Sequence, residues 1–215
     1  LSYLYPQSTF GAHVSASAHA QTLRVTPLCT RGNVSFFGCL GYELDLNHLV
    51  DVEEKEIKAQ TAFYKQYRKV FQFGTFRRGE NTWQVSDGKV TLAGVFHGCQ
   101  SAVPPYEYLR IRGLDRTKTY RFRTRPQTLR VGQFGDLIKH VSPVSLNPNG
   151  IVLRTADKHI TLPDGVHEGT ASGTALEAGI PMLPCFRGTG YDGGQRTQLD
   201  FGSNLYVIEE ETNHE

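Results

Sequence analysis

The spacing of the apolar residues changes at about residue 78, and this change constrains the fold more than any other feature of the sequence. As far as Arg78, short apolar runs are mixed with helical patterning, whereas the chain from Gly79 onward is rich in β-branched and aromatic residues interrupted by Gly, Pro, Asn and Asp. Helices repeat their apolar positions about every 3.6 residues and strands about every 2. The sequence therefore predicts an α+β protein in two parts, residues 1–78 and residues 79–215.

The strongest element of the first part is a helix predicted over residues 52–71. Its apolar residues recur at three- and four-residue spacing, while acidic residues crowd the first turn and basic residues lie near the end, as the helix dipole favours. Asp51 is the expected N-cap, and Glu54 completes a capping box.

Three weaker elements precede this helix. Residues 30–41 fit a shorter helix that is weakened by its glycines. Gly11–Ser15 fit a buried parallel strand as well as a loop. Asn47 is a candidate cap for one turn of helix.

The second part reads as short strands separated by turn residues. Residues 109–112 and 119–123 alternate apolar and basic side chains, which predicts a half-buried hairpin with its arginines on the solvated face. Further strands are predicted at residues 82–86, 89–97, 151–154, 159–162 and 205–209. Such a series of strands predicts an antiparallel β-sandwich.

The composition excludes several classes of protein. With 23 basic and 21 acidic residues the net charge is +2, so we expect no nucleic-acid or membrane partner. No apolar run approaches the roughly 18 residues of a membrane-spanning helix.

The four cysteines form no Cys-x-x-Cys pair; they are Cys29, Cys39, Cys99 and Cys185. Free thiols in a reducing compartment are a simpler interpretation than two disulfides, and we expect a cytoplasmic protein.

The sequence contains no convincing catalytic set. Glu43 and Asp45 face the same way in an extended segment, and retaining glycosidases need two carboxyl groups about 5 Å apart; a solvated edge or a cap is the commoner role of such a pair. The glycine-rich residues 188–194 lack the Lys-Ser/Thr of a phosphate-binding loop, which favours an ordinary turn or connection.

The histidines and arginines are also explained without catalysis. His13, His19, His48 and His97 do not have zinc-ligand spacing, so we expect no metal and no cofactor. A basic stripe could contact a partner subunit or an acidic ligand, although a solvated strand face is the favoured interpretation. The stripe consists of Arg110, Arg112, Arg121, Arg123 and Arg125.

Ordered motifs nevertheless carry a specific resemblance. They include Gly-Ala-His-Val-Ser-Ala-Ser at residues 11–17 followed by Gln21 and Arg24, Thr-Arg-Gly-Asn-Val-Ser-Phe-Phe-Gly at 30–38, Leu-Gly-Tyr-Glu-Leu-Asp-Leu at 40–46, Phe-Gln-Phe-Gly-Thr-Phe-Arg-Arg at 71–78, Leu-Arg-Ile-Arg-Gly-Leu-Asp at 109–115 and Ser-Asn-Leu-Tyr-Val-Ile at 203–208. In this order they resemble the C-terminal portion of the α-galactosidases of glycoside hydrolase family 36.

The resemblance implies an enzyme with an N-terminal β-domain, a central (β/α)8 barrel and a C-terminal β-sandwich. Residues 1–78 would supply the last barrel strand and its helices, and residues 79–215 the sandwich. The family hydrolyses terminal α-linked galactose, as in melibiose and raffinose, with retention, using one Asp as nucleophile and another as acid and base. Both lie upstream of the Gly-Ala-His-Val-Ser stretch, so this chain carries no catalytic residue and we expect it to be inactive alone.

The resemblance also implies partners and leaves alternatives open. The chain begins at Leu1 and its only methionine is Met182, so we expect a missing upstream portion of the same enzyme, besides an oligosaccharide substrate and a homo-oligomer. A relative that transfers galactose to another sugar fits equally. A non-catalytic β-sandwich module also fits, and with Trp83 as the only tryptophan assembly is more plausible for it than sugar binding.

One loop departs from the family pattern. Ala18-His19-Ala20-Gln21 stands where the family usually has Pro-Asn-His-Gln, and Leu23 replaces the customary glycine. Loops after barrel strands lie at the active-site face. His13 is therefore a candidate substrate-binding residue, although a packing role is equally compatible with the sequence, and the changed loop affects the expected substrate preference.

Overall fold

The computed structural model describes residues 2–102, 105–138, 147, 149–182 and 199–211. Its α-helices are α1 (Leu28–Ser35), α2 (Asp51–Phe73), α3 (Ile151–Ala156) and α4 (Gly173–Ala178). Its strands are β1 (Gly11–Ser15), β2 (Cys39–Glu43), β3 (Thr75–Arg78), β4 (Thr82–Ser86), β5 (Val90–Phe96), β6 (Tyr108–Leu109), β7 (Thr119–Thr124), β8 (Thr128–Arg130), β9 (Thr161–Pro163), β10 (Glu168–Ser172), β11 (Ile180–Pro181) and β12 (Ser203–Glu210). Short 3-10 segments cover Gln7–Thr9, Leu46–His48 and Val131–Leu137.

The first part contains two successive βα units. β1 and β2 pair in parallel, with His13 opposite Gly41, and α1 is the crossover that parallel pairing requires. α2 then follows β2. The resemblance implied a single parallel strand in residues 1–78, whereas the structure has two. The predicted helix over residues 30–41 is wrong in its second half, because α1 ends at Ser35 and residues 39–41 lie in β2.

Helix α2 confirms the predicted helix and corrects its N-cap. Val50, with extended backbone angles, is the N-cap, and its backbone N–H donates to Glu53 Oε2 at 3.2 Å. Asp51 is the first helical residue, and its Oδ2 lies 2.7 Å from Nδ1 of His159. The hydrogen bond with His159 is the main cause that lowers the pKa of Asp51.

A six-stranded antiparallel sheet dominates the second part. Its order is β10-β7-β12-β5-β4-β3. The central strand β12 alternates its side chains between two apolar clusters: Leu205 and Val207 face α2 and its aromatic residues, whereas Tyr206 and Ile208 face a second cluster that includes Leu109 and Ile111. Because β3 pairs with β4, the predicted division after Arg78 falls at the end of a strand of this sheet.

Several predicted strands of this part are confirmed and others are wrong. β4 and β12 cover the predicted strands 82–86 and 205–209, and β5 covers residues 90–96 of the predicted strand 89–97. The predicted hairpin is wrong in its pairing, because β6 pairs with β11 and β7 pairs with β10 and β12. Residues 151–154 lie in helix α3 instead of a strand. The glycine-rich residues 188–194 and Cys185 lie outside the described residues.

The arginine stripe is solvated except at its last member. The side chains of Arg110, Arg112, Arg121 and Arg123 are exposed, whereas Arg125 is only 4% exposed. Its Nη2 donates to Glu56 Oε1 at 2.8 Å, and its Nε donates to Asn33 Oδ1 at 3.1 Å. The solvated role predicted for Arg125 is therefore wrong, because this guanidinium joins α1 and α2 to the residues that follow β7.

This buried pair belongs to a polar network between the two parts of the chain. Asn33 Nδ2 donates to Gln127 Oε1 at 3.0 Å and to Ser203 Oγ at 2.9 Å. The hydroxyl of Ser203 in turn donates to Thr30 Oγ1 at 3.0 Å. The network therefore connects α1 to the first residue of β12.

Helix packing inside this region depends on a glycine. A Cβ added to Gly32 would lie 2.6 Å from Gln60 Nε2, and this nitrogen donates to the carbonyl of Leu28 at 3.0 Å. We therefore expect Gly32→Ala to lower the free energy of unfolding by up to about 2 kcal/mol, because an overpacking cost of about 1–3 kcal/mol exceeds the gain of about 1 kcal/mol in helix propensity. Chemical unfolding of the chain measures the change. Gly98→Ala, where a Cβ would meet no atom within 4 Å, is the control, and equal stability of both variants would contradict the prediction.

Candidate functional site

The candidate site lies at the ends of the two parallel strands. His13 lies in β1, and Glu43 is the last residue of β2. Their side chains lie on the same face of this strand pair, and His13 Nδ1 lies 3.5 Å from Glu43 Oε2. The imidazole passes over two glycines: a Cβ on Gly41 would lie 2.8 Å from its Cδ2, and one on Gly11 would lie 3.2 Å from its Nε2. Both glycines therefore let the ring lie along the sheet surface. The His13 side chain is 54% exposed, so its ring is accessible in this chain.

Glu43 and Asp45 have separate partners in the structure. The side chain of Asp45 accepts the backbone N–H of Asn47 at 2.9 Å and caps the 3-10 turn Leu46–His48. Its Oδ2 also lies 2.8 Å from His48 Nδ1. These contacts give Asp45 the capping role considered from the sequence, and assign the turn's cap to Asp45 in place of Asn47.

The loop of residues 16–27, which joins β1 to α1, contains an ordered turn. His19 Nδ1 accepts the backbone N–H groups of Gln21 and Thr22, both at 3.3 Å. His19 N–H donates to the carbonyl of Arg24 at 3.0 Å, and Leu23 N–H donates to the carbonyl of His19 at 2.8 Å. The exposed residues 19–24 are therefore closed into one hydrogen-bonded unit.

Two arginines connect this loop to the rest of the molecule. Arg31 of α1 donates from Nη1 to the carbonyl of Ser15 and from Nε to the carbonyl of Thr26 at 3.2 Å, so it holds both ends of the loop. The guanidinium of Arg24 lies over the ring of Phe201, 5.1 Å from its centre. The loop is thereby attached to α1 and to the residues that precede β12.

A cavity of about 650 Å³ lies behind the loop. Loop residues, the first turns of α1 and α2, and residues near β8 form its walls. Within these walls, Arg130 donates from Nε to Asp157 Oδ2 at 2.9 Å and from Nη1 to Glu53 Oε1 at 3.3 Å. Cys29 also lines the cavity, and burial of its thiol is the largest cause that raises its pKa to about 11.

The described residues contain neither a group of metal ligands nor a membrane-spanning helix. In the part of the chain that the structure describes, no three His, Cys, Asp or Glu side chains are grouped to hold a metal ion. Across the same residues, no helix combines the length and the apolar character needed to cross a bilayer. The described cysteines, Cys29, Cys39 and Cys99, are free thiols.

The substrate-binding role of His13 stays a prediction, and sequence reasoning did not identify the anchors of the loop. Arg24 and Arg31 belong to the motifs of the resemblance, which is the signal that could have identified them. The partner Phe201 lies far away in the sequence, and no local pattern connects it to Arg24.

The loop carries backbone strain at the position where the family customarily has glycine. Leu23 has φ of 55° and an exposed side chain. A left-handed conformation costs an L-residue about 1–2 kcal/mol, and glycine loses about 0.5–1 kcal/mol through backbone entropy. We therefore expect Leu23→Gly to raise the free energy of unfolding by about 0.5–1 kcal/mol, measured by chemical unfolding. Leu23→Ala keeps the Cβ and is the control; the same gain from alanine would refute strain as the cause.

The thiols differ in accessibility and ionisation. Because the thiolate is the reacting species, the raised pKa of Cys29, about 11, leaves on the order of a hundred-fold less thiolate at pH 8 than a free cysteine has. We expect iodoacetamide to modify the exposed Cys99 much faster than Cys29, as measured by peptide mass spectrometry. The difference should disappear in denaturant, and similar rates in the folded chain would count against a raised pKa of Cys29.

Comparison with known proteins identifies relatives of this chain. Residues 1–74 match the Melibiase family. Alpha-galactosidase AgaA of Geobacillus stearothermophilus is 41% identical over 128 residues, 55% of this chain and 18% of the relative. Alpha-galactosidase Mel36A of Lactobacillus acidophilus is 37% identical over 131 residues, 56% of this chain and 18% of the relative. The chain thus spans about a fifth of the length of these curated relatives.

Solved structures extend the match to nearly the whole chain. The α-galactosidase of Lactobacillus brevis superposes with a TM-score of 0.67 and 30% identity, over 98% of this chain and 24% of that one. The family 36 α-galactosidase AgaA in complex with raffinose superposes with a TM-score of 0.66 and 29% identity, over 97% and 23%. The resemblance to glycoside hydrolase family 36 is thereby confirmed: the chain matches part of its α-galactosidases, in sequence from the first residue and in fold over almost its entire length.

Proposed function

We propose that the chain is the C-terminal portion of a retaining α-galactosidase, which releases terminal α-linked galactose from oligosaccharides such as melibiose and raffinose. The observation that carries the proposal is the match of nearly the whole chain to solved α-galactosidases. Structures of the relative AgaA with raffinose and with stachyose support an oligosaccharide substrate. The two catalytic Asp residues of the family would lie upstream of this chain.

The proposed arrangement assigns residues 1–78 to the end of the catalytic barrel and residues 79–215 to the β-sandwich. The order β1-α1-β2-α2, with parallel strands, is what two consecutive units of a (β/α)8 barrel have. The antiparallel sheet supports the assignment of the second part. The pairing of β3 (Thr75–Arg78) with β4 supports a junction beside Gly74, four residues before the predicted boundary.

In this arrangement His13 would contribute to sugar binding. Active sites of such barrels lie at the C-terminal ends of the strands, where His13 and the loop of residues 16–27 are found. When Nδ1 of His13 donates to Glu43, its Nε2 accepts a hydrogen bond from a sugar hydroxyl. The chain would thus bind and orient substrate, while the upstream carboxylates perform the nucleophilic and acid–base steps.

The proposed partners follow from the same arrangement. The side chains of Tyr3 and Leu4 are 82% and 80% exposed, and such apolar exposure favours packing against the upstream portion of the enzyme. A homo-oligomer in the cytoplasm completes the proposal, in which no nucleic acid, membrane or cofactor takes part.

Two other functions remain as alternatives. A galactosyl-transferring relative shares every feature described, and product analysis of the full-length protein with excess acceptor sugar distinguishes it from a hydrolase.

In a sugar-binding module, Trp83 would be the expected stacking surface. Its ring instead packs against Phe96 and Phe37, with centroid distances of 4.9 and 5.7 Å, which favours assembly over sugar binding for any non-catalytic role.

The isolated chain tests whether catalysis depends on residues upstream of it. It has two parallel βα units, and the family's catalytic carboxylates have no counterpart in it, so we expect no hydrolysis of p-nitrophenyl α-galactoside above a no-enzyme blank. Release of p-nitrophenolate measures the rate, with the full-length enzyme as the positive control. Turnover by the isolated chain would overturn the assignment of catalysis to upstream residues.

A further inference from the structure

The loop of residues 16–27 is attached differently at its base and at its tip. Arg31 binds the carbonyls of Ser15 and Thr26, which are the two ends of the loop. The tip, residues 19–24, is exposed and meets the second part of the chain where the guanidinium of Arg24 covers the ring of Phe201. The base therefore depends on α1, and the tip depends on a residue next to the sheet.

Phe201 is a rigid point of attachment. Its N–H donates to the carbonyl of Gly98 at 3.0 Å, and the neighbouring Asp200 accepts the N–H of Gln100 at 2.7 Å. Two residues later, Ser203 begins the central strand β12 and bonds to Asn33 and Thr30. The backbone at Phe201 is consequently held by hydrogen bonds to residues 98–100 on one side and by the start of the sheet on the other.

Movement at Arg24 is transmitted to the whole tip. The hydrogen bonds that run from His19 N–H to Arg24 and from Leu23 N–H to His19 close residues 19–24 into one unit, so the turn moves as a body with its arginine. A cation above an aromatic ring is attracted to its face. The contact with Phe201 therefore sets the position of a turn whose other side chains face solvent.

We propose that Arg24 and Phe201 are positioning residues through which the second part of the chain sets the preference of the enzyme for the leaving group of its substrate. The inference rests on the proposed function. A strand end lies deeper in a βα active site than the tip of the loop that follows it. His13 is accordingly placed near the terminal galactose, and the 19–24 turn is placed at the rim, beside the sugar or aryl group that leaves.

The experiment compares two substrates that share galactose and differ in the leaving group. In the full-length enzyme, Arg24→Gln and Phe201→Leu remove the contact, while Arg24→Lys and Phe201→Tyr retain a cation and a ring. Values of kcat and KM are measured for raffinose and for p-nitrophenyl α-galactoside. Arg110→Gln is the matched control, because Arg110 lies 5.4 Å from the ring centre of Tyr108, away from the loop.

We expect both disruptive variants to raise KM for raffinose about two- to five-fold, the equivalent of a cation–π contact at an exposed site, and to raise KM for the aryl galactoside less, so that the ratio of the two KM values changes. The conservative variants should restore most of the preference. The double variant should raise KM for raffinose no more than either single variant does, because both substitutions remove the same contact. Arg110→Gln should behave as the wild type.

The outcomes separate this inference from the function on which it rests. Wild-type enzyme without activity on either substrate overturns the proposed function. The positioning role is overturned if the wild-type enzyme is active and the variants leave the ratio of the two KM values unchanged. It is also overturned if the variants lose activity on both substrates equally. Thermal unfolding identifies any variant that fails to fold; since Arg24 is exposed, Arg24→Gln then carries the test without Phe201→Leu.

Discussion

The buried ion pair between Arg125 and Glu56 is the interaction on which the arrangement of the two parts depends. Removing a guanidinium and a carboxylate from water is costly, and the cost is offset only when the remaining hydrogen-bonding groups are also satisfied. Here Asn33 accepts a second donor of the guanidinium, Gln60 Nε2 donates to the same Glu56 oxygen at 2.9 Å, and the ring of Phe36 lies beneath the cation at 5.8 Å. Loss of either charge would leave the other unpaired, so the βα units and the sheet are fixed together at this point.

The buried contact between the two parts of the chain also determines the geometry of the candidate site. Thr30 and Asn33 of α1 bond to Ser203, and each of these elements carries one anchor of the 16–27 loop: Arg31 follows Thr30, and Phe201 precedes Ser203 by two residues. The distance between the anchors is therefore set by buried hydrogen bonds and not by the loop. A solvent-exposed loop gains a defined position in this way without a core of its own, which is the general condition for a functional loop on a rigid scaffold.

The sequence predicted those elements whose formation depends on local patterns. Helix α2 carries a periodicity that decides its type and buried face without reference to distant residues. Strand β12 instead contains a short apolar run, which fits a strand buried on both faces. The pairing of β6 with β11 does not follow from alternation, because alternation gives a strand its face and not its partner. The burial of Arg125 also could not be predicted from the sequence. Its position in the alternating pattern indicated a solvent-exposed side chain, and its partner Glu56 lies 69 residues earlier.

The loop shows which departures from a family pattern a folded scaffold tolerates. The replaced positions, residues 18–21 and Leu23, lie in or next to the exposed turn, whereas the anchoring Arg24 and Arg31 match the family motifs. Leucine at φ of 55° strains the backbone, but the strain is confined to the turn, because neither anchor depends on the Leu23 side chain. Changes at the tip can therefore alter what the rim of the site contacts while the strand ends, and His13 with them, keep their positions. Under the proposed function, this rim would accordingly be where substrate preference diverges at the least cost to the fold.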